Sequence, residues 1–266
     1  MRALVTLRSP EEKFESVDVL ILGAGLSGIG NACQLRRNCP EKKIAILEAR
    51  TVIGGTWDLF RYPGVRSDSD MYTYSYGFKP WSGRSAIASA DAILSYIRGV
   101  ARDYNLEQYI RYQHKVVAAN WSPEESKWVV DVHRGDTGDH ISIICNFILS
   151  CCGYYDYERG HIPDFEGLTD FDGAIVHPQH WPSNLDYQEK RVVVVGSGAT
   201  AITLVPTMAA DTSHMVMLQR SPTYIANVPA KDSWSILLNK WAPKFLTFRL
   251  LRWKRIYLQR YVYRLS

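Results

Sequence analysis

Two runs of uninterrupted apolar residues, Val19–Leu22 and Val192–Val195, each lead into a glycine cluster and then into a helical stretch. Such runs suit strands buried on both faces of a parallel sheet, whereas a half-exposed strand would alternate. The first continues through Gly23-Ala-Gly25-Leu-Ser27-Gly28, a helix opening at Leu26–Ser27 and reaching Arg37, and a second strand from Lys43 to Glu48. The second continues through Gly196-Ser197-Gly198-Ala199-Thr200-Ala201, a helix to about Ala210 and a strand from His214 to Gln219. Between them, Ile93, Ile97, Val100 and Tyr104 recur at helical spacing within Ser89–Asn105. Lys115–Trp121, Lys127–His133 and His140–Ser150 read as a β-meander, the last run returning to the parallel sheet. The pattern predicts an α/β chain with two Rossmann-like dinucleotide-binding domains, the second incomplete, because only two strands follow Arg191 where about five or six are needed.

The glycine spacing carries the first chemistry. Gly23 suits the tight turn, Gly25 a close backbone approach to a pyrophosphate, and Gly28 close helix–strand packing. The helix start adds unpaired N–H groups and a positive dipole end. Glu48 can accept both hydroxyls of a ribose and repels a 2′-phosphate, so the first nucleotide is expected to be FAD or NAD rather than NADP. In the second loop the strand ends in Gln219-Arg220, and a guanidinium there suits a 2′-phosphate; this site is expected to prefer NADPH. The stretch from Ala49 to Asp70 is rich in glycine, proline and polar residues, so a functional loop without regular structure is expected. There Gly54 and Gly55 would let the backbone pass close to a flat ring, with Thr56 as a hydrogen-bond donor and Trp57 as a wall. Tyr72, Tyr74, Tyr76, Phe78 and Trp81 follow at near-alternate spacing and are expected in the core.

Hydrophobic residues make up 46% and charged residues 22% of the 266, ordinary for a soluble domain pair. The net charge of +4 is too small to point to nucleic acid. Its distribution is uneven: after Asp232 there is no acid, while Lys240, Lys244, Arg249, Arg252, Lys254, Arg255, Arg260 and Arg264 follow. Five cysteines without framework spacing suggest a reducing, cytoplasmic setting. Met1–Val17 lacks the apolar core of a signal peptide, and no uninterrupted apolar stretch suggests a transmembrane span. Cys151 and Cys152 lack the spacing of a redox pair in a flavin-linked reductase. His177 and His180 have no third metal ligand at a sensible spacing, so no metal is expected.

Between the loops, Phe171-Asp-Gly173-Ala-Ile-Val-His177-Pro-Gln-His-Trp181-Pro182 matches the FxGxxxHxxxWP fingerprint of the Baeyer–Villiger monooxygenases. With both glycine loops, the stretch from Gly54 to Thr73, and Leu218-Gln-Arg-Ser-Pro-Thr-Tyr, the chain most resembles their ethionamide-activating branch. The resemblance implies a flavoprotein that uses FAD and NADPH to insert one oxygen atom from O2 into a ketone or to oxidise a sulfur compound. Position by position, it assigns FAD to Ser27, Glu48, Thr56, Trp57, Asp58, Leu59, Asp68 and the backbone of Val116. It sets Arg66, Ser67 and Asp68 on the nicotinamide side, with Asp68 catalytic, and gives NADPH to Gly196–Ala201, Gln219 and Arg220. Phe171, Gly173, His177, Trp181 and Pro182 belong to domain coupling.

The implied organisation is an N-terminal extension over 1–16, an FAD domain with the meander over 17–170, a linker over 171–190, the start of the NADPH domain over 191–232, and a basic amphipathic helix over 233–266. Leu250, Trp253, Tyr257 and Tyr261 form one stripe of that helix, with Leu251, Leu258, Val262 and Leu265 beside it. It reads either as a membrane-surface helix or as an insertion whose cover lies in a longer chain, and the family supports the latter. The family also carries a catalytic arginine in a later region, to which no residue here corresponds. Two rival expectations are a nucleotide-binding fragment that does not turn over and a flavin N- or S-monooxygenase.

Overall fold

The computed structural model describes residues 15–83, 85–221, 225 and 241–265. The expected N-terminal extension, Pro222–Tyr224 and the start of the basic segment therefore lie largely outside the described residues.

By chain contacts the protein divides into two compact units: Met1–Gly55 with Ile97–Gly153, and Thr56–Tyr96 with Tyr154–Ser266. These limits follow packing and cut the chain elsewhere than the borders expected from the sequence at 17–170 and 191–232.

The first unit is a six-stranded mixed sheet. Strand β1 (Glu15–Leu22) lies parallel between β2 (Ile44–Leu47) and β6 (His140–Ser150). Strand β3 (Ile110–Arg111) extends the β2 edge, and β4 (His114–Ser122) and β5 (Lys127–Arg134) continue antiparallel from β6, in the order β3-β2-β1-β6-β5-β4. The expected meander is present, and its third strand does rejoin the parallel sheet at the centre. Leu20 and Ile21 in β1 are fully buried, the result of covering both faces of a central parallel strand. Helix α1 (Leu26–Asn38) makes the crossover between β1 and β2, and Arg36 and Arg37 in its last turn oppose the negative end of its dipole. One core cluster joins Val17, Leu20 and Leu22 to Ala45, Leu47, Val130, Val132, Ile143 and Cys145. The two-residue β3 is too short to leave a periodic signal.

In the second unit, β7 (Arg191–Val195) and β8 (His214–Leu218) form a parallel pair in register from Arg191–His214 to Val195–Leu218. Helix α5 (Ala199–Met208) connects them and buries Ala201, Leu204 and Met208. The other face of this pair is bare: Val193 and Val195 are each 60% exposed. Two further elements correct the sequence reading. Thr56–Leu59, expected to be irregular, is one helical turn, α2; Met71–Tyr74, within the near-alternate aromatic run, is another, α3. Of those aromatics only Tyr72 is buried; Tyr76 stacks on Phe78 with ring centroids 4.9 Å apart, half-buried. Helix α4 (Ala90–Asp103) buries Ile93, Ile97 and Val100 as its spacing requires.

The terminal helix α6 (Lys244–Leu265) forms as expected. Phe248 and Leu251 pack with Tyr72 and Ala86, while the expected stripe of Leu250, Trp253, Tyr257 and Tyr261 is exposed. Leu20→Ala should lower the unfolding free energy by roughly 2–5 kcal/mol, whereas Val193→Thr should change it by less than about 0.5 kcal/mol. Urea titration of both variants checks this; equal effects would contradict the contrast between the two sheets.

Candidate nucleotide sites

In the first loop two of the three glycines are required by the chain's own packing. Gly23 has φ +101°, and a Cβ there would lie 2.6 Å from the carbonyl oxygen of Cys151. A Cβ on Gly28 would fall 1.8 Å from the carbonyl oxygen of Gly23, so α1 could not approach the turn with any side chain at that position. Gly25 differs: its Cβ would meet only Gly55 Cα at 3.6 Å, an ordinary contact. Gly25 is the N-cap of α1 and supplies no side-chain cap, which leaves the helix start open to an acceptor. Glu48 is buried beside this turn. Its Oε2 accepts from the Ala24 N–H at 2.9 Å and its Oε1 from the Arg50 N–H at 2.9 Å. Each carboxylate oxygen keeps a second lone pair for another donor. The turn is tied further by Gly54 N–H donating to the Ala24 carbonyl at 3.1 Å.

Cys151, at the end of β6, accepts from Asn31 Nδ2 at 3.5 Å, and burial pushes its thiol pKa up. Burial likewise pushes Cys33 up to about 12. Raised thiol pKa values oppose nucleophilic use at Cys33 and Cys151. Val116 is half-buried against the core cluster, and the β4–β5 register shifts between Val116 and Ala118. Such bulges re-aim a strand locally.

The second loop repeats the plan with one difference. Gly196 has φ +125° and donates its N–H to the Leu218 carbonyl at 2.8 Å, while Cβ atoms on Gly196 or Gly198 would meet nothing within 4 Å. Gly198 caps α5 without a side-chain bond. Ala201 occupies the third position with its Cβ buried, where the first loop tolerates none. Ser197 Oγ donates to the Ser221 carbonyl at 3.5 Å, so the loop and the Gln219–Ser221 bend lie together, with Gln219 and Arg220 exposed.

The segment from α2 to Asp68 runs along α5. Phe60 and Tyr62 pack on Leu204 and Met208, with Trp181 against the same cluster. A Cβ on Gly64 (φ +76°) would lie 2.2 Å from Thr207 Oγ1, and the Tyr62 hydroxyl lies near Thr200 at the start of α5. Asp58 is buried and paired with Arg61 at 3.0 Å; Trp57 Nε1 donates to the Tyr74 hydroxyl at 2.8 Å. Ser67 is buried, exchanging bonds with Ala88, while Arg66 and Asp68 are exposed. The neighbouring Asp70 is spoken for: it caps α3, accepting from Tyr72 and Thr73 N–H. Tyr62 and Tyr155 both feel the Asp68 charge. Burial first pushes Tyr62 up, and the Tyr154 hydrogen bond, then burial, pushes Tyr155 up to about 12.

In the 171–190 linker, His177 Nδ1 accepts from the Gln179 N–H at 3.2 Å, and burial, followed by His180 and His161, lowers its pKa. Gln179 is buried and its side-chain amide donates to the Asp156 carbonyl. Trp181 is anchored in the α5 cluster, whereas Phe171 is exposed and stacked over Gly173, where a Cβ would lie 2.5 Å from its ring.

The family model for flavin-binding monooxygenase-like proteins matches residues 70–253, and that for the NAD(P)-binding Rossmann-like domain matches residues 21–85. The chain belongs to the flavin-binding monooxygenase-like family. Among curated relatives, the FAD-containing monooxygenase EthA of Mycobacterium tuberculosis H37Rv is 50% identical over 250 residues, covering 94% of this chain and 51% of the relative. The probable FAD-binding monooxygenase AlmA of Acinetobacter baylyi is 47% identical, covering 94% and 50%. Of solved structures, a steroid monooxygenase bound to NADP shares 31% identity at a TM-score of 0.70, covering 85% of this chain and 42% of the other. OTEMO in complex with FAD and NADP shares 28% at 0.67, covering 79% and 40%. The chain spans about half the length of the curated relatives it matches.

Within this family member, sequence reasoning missed Tyr62, Tyr155, Gln179 and Gly160. A Cβ on Gly160 would lie 2.1 Å from the His177 ring. Gly160 and the Tyr154-Tyr155 pair carry no spacing signal, because their contacts are made by residues far away in sequence. Gly28→Ala should cost about 1–3 kcal/mol of stability, while Gly25→Ala should cost less than about 1 kcal/mol. Thermal melting of the two variants checks this, and equal losses would mean that Gly25 is also a packing requirement.

Proposed function

We propose that the chain is the nucleotide-binding N-terminal part of an FAD- and NADPH-dependent Baeyer–Villiger-type monooxygenase acting on ketones or sulfur compounds. The observation that carries the reading is the matched pair of open, uncapped helix starts with opposite charges beside them: Glu48 at the first loop and Arg220 at the second. The first loop fits a dinucleotide pyrophosphate, because Gly25 leaves backbone bare where the chain's own packing does not require it.

In the first unit Gly23, Gly25, Ser27, Gly28, Glu48, Gly55 and the backbone of Val116 are the residues for FAD. In the second unit Thr56, Trp57, Asp58, Leu59, Arg66, Ser67 and Asp68 are assigned to the flavin and nicotinamide side by the resemblance. Gly196, Ser197, Gly198, Ala199, Thr200, Ala201, Gln219 and Arg220 are those for NADPH. The flavin, when bound, supplies the oxygen-activating redox chemistry; the chain's residues bind and orient. Asp68, exposed and unlike Asp70 not used as a helix cap, is the carboxylate available for catalysis. Phe171, Gly173, His177, Trp181 and Pro182 serve coupling, supported by Trp181 and Tyr62 sharing one cluster on α5. The division into an FAD domain over 17–170 and an NADPH domain from 191 belongs to the same reading. The five free thiols support assignment to the cytoplasm.

Arg220→Ala should weaken NADP+ binding at least tenfold, with NAD+ affinity nearly unchanged, because only the former carries the 2′-phosphate. Isothermal titration with both nucleotides tests this. Equal loss for the two would remove the basis for NADPH selectivity.

A further inference from the structure

Helix α6 is held in one rotation about its axis. Thr247, Phe248 and Leu251 are buried, the latter two with Tyr72 and Ala86. Arg252 Nη1 donates to the carbonyl oxygens of Tyr72 at 2.9 Å and Ser75 at 3.1 Å. This docking turns the opposite face outward. That face carries Leu246, Leu250, Trp253, Tyr257 and Tyr261, spaced four, three, four and four residues apart, so they form one continuous stripe. Trp253 is 55% and Tyr257 67% exposed, so the stripe is open in this chain.

Its flanks are cationic. On a helical projection Arg249 and Arg260 border one side and Lys254 the other, all exposed, and no acidic residue occurs anywhere from Ser233 to Ser266. Beside the stripe lies a largely apolar groove of ≈ 300 Å³ lined by Phe245, Phe248, Arg249, Arg252, Trp253 and Ile256. Aliphatic residues with Trp and Tyr on one face suit the boundary between headgroups and acyl chains, where amphipathic rings settle. Arginine and lysine on the flanks can extend their heads to the phosphates while their stems stay against the apolar layer. A polypeptide partner would need a surface both apolar and acidic along the full stripe; a bilayer with anionic headgroups has both properties everywhere.

We propose that the outward face of α6 docks on the surface of an anionic lipid bilayer, as a peripheral contact. No described helix is long and apolar enough to cross a membrane, which agrees with a helix lying in the interface. The inference does not depend on the nucleotide reading, since no residue of either glycine loop takes part.

The test is co-sedimentation of the 266-residue chain with vesicles of phosphatidylcholine alone and of phosphatidylcholine with phosphatidylglycerol. Association should occur with the anionic vesicles and fall steeply with added salt. The double variant Leu250→Glu/Tyr257→Glu should lose it while keeping the wild-type melting temperature, because both side chains are exposed. Arg249→Ala and Arg260→Ala should each weaken it about fivefold. Equal binding to neutral vesicles, binding insensitive to salt, or full retention by the double variant would overturn the proposal. So would an absence of vesicle binding, including the case where sedimentation velocity finds that the stripe pairs two copies of the chain instead. If the double variant fails to fold, the salt dependence of the wild-type chain still decides.

Discussion

A helix start can hold a phosphate on bare backbone only where no side chain stands between it and the strand end it follows. In this chain that requirement is met by one contact, Gly28 against the carbonyl of Gly23, with no room for even a methyl group. The approach fixes where α1 begins and therefore how it crosses from β1 to β2, and it leaves the α1 start open. It also brings Ala24 to Glu48, so the carboxylate proposed to face a ribose is buried and bonded beside the turn. Strand, turn, helix and acid are thus one mechanical unit, and the sheet around β1 holds it in position.

The second loop reuses the scheme with looser packing. Ala201 in place of the third glycine keeps its methyl buried, and the sheet beneath is a two-stranded pair with Val193 and Val195 on an uncovered face. Stiffness comes instead from the segment between α2 and Asp68, which lies along α5 through Phe60, Tyr62 and Gly64. The Tyr62 hydroxyl lies near Thr200 at the start of α5. Asp68 and the second glycine loop therefore share a support, which suits the proposed assignment of both to the nicotinamide side.

What the sequence disclosed, and what it did not, divides along range. Val19–Leu22 announced a parallel strand buried on both faces, whereas Val192–Val195 forms the expected parallel strand but leaves Val193 and Val195 exposed, and the glycine spacing announced both turns. Thr56–Leu59 was unreadable as a helix because four residues hold just over one period. The Tyr62–Tyr155 neighbourhood was unreadable because its members are distant in sequence and have no motif. In α6 the helix was legible but its buried face was not. Apolar residues occur around most of the circumference, and contacts with Tyr72 and Ala86, with the Arg252 bonds to the Tyr72 and Ser75 carbonyls, select Phe248 and Leu251 over Leu250 and Trp253. Asp68 and Asp70 were indistinguishable in the string Ser67-Asp-Ser-Asp70 until α3 claimed the second as its cap.

The central claim is that the first loop and Glu48 form a flavin nucleotide site in this chain. Titrating the 266-residue protein with FAD, followed by flavin fluorescence and thermal melting, addresses it most directly. The account predicts saturable binding with a rise in melting temperature, and loss of both on Gly25→Val. Undiminished FAD binding by Gly25→Val, or a folded wild-type chain that does not bind FAD, would contradict it.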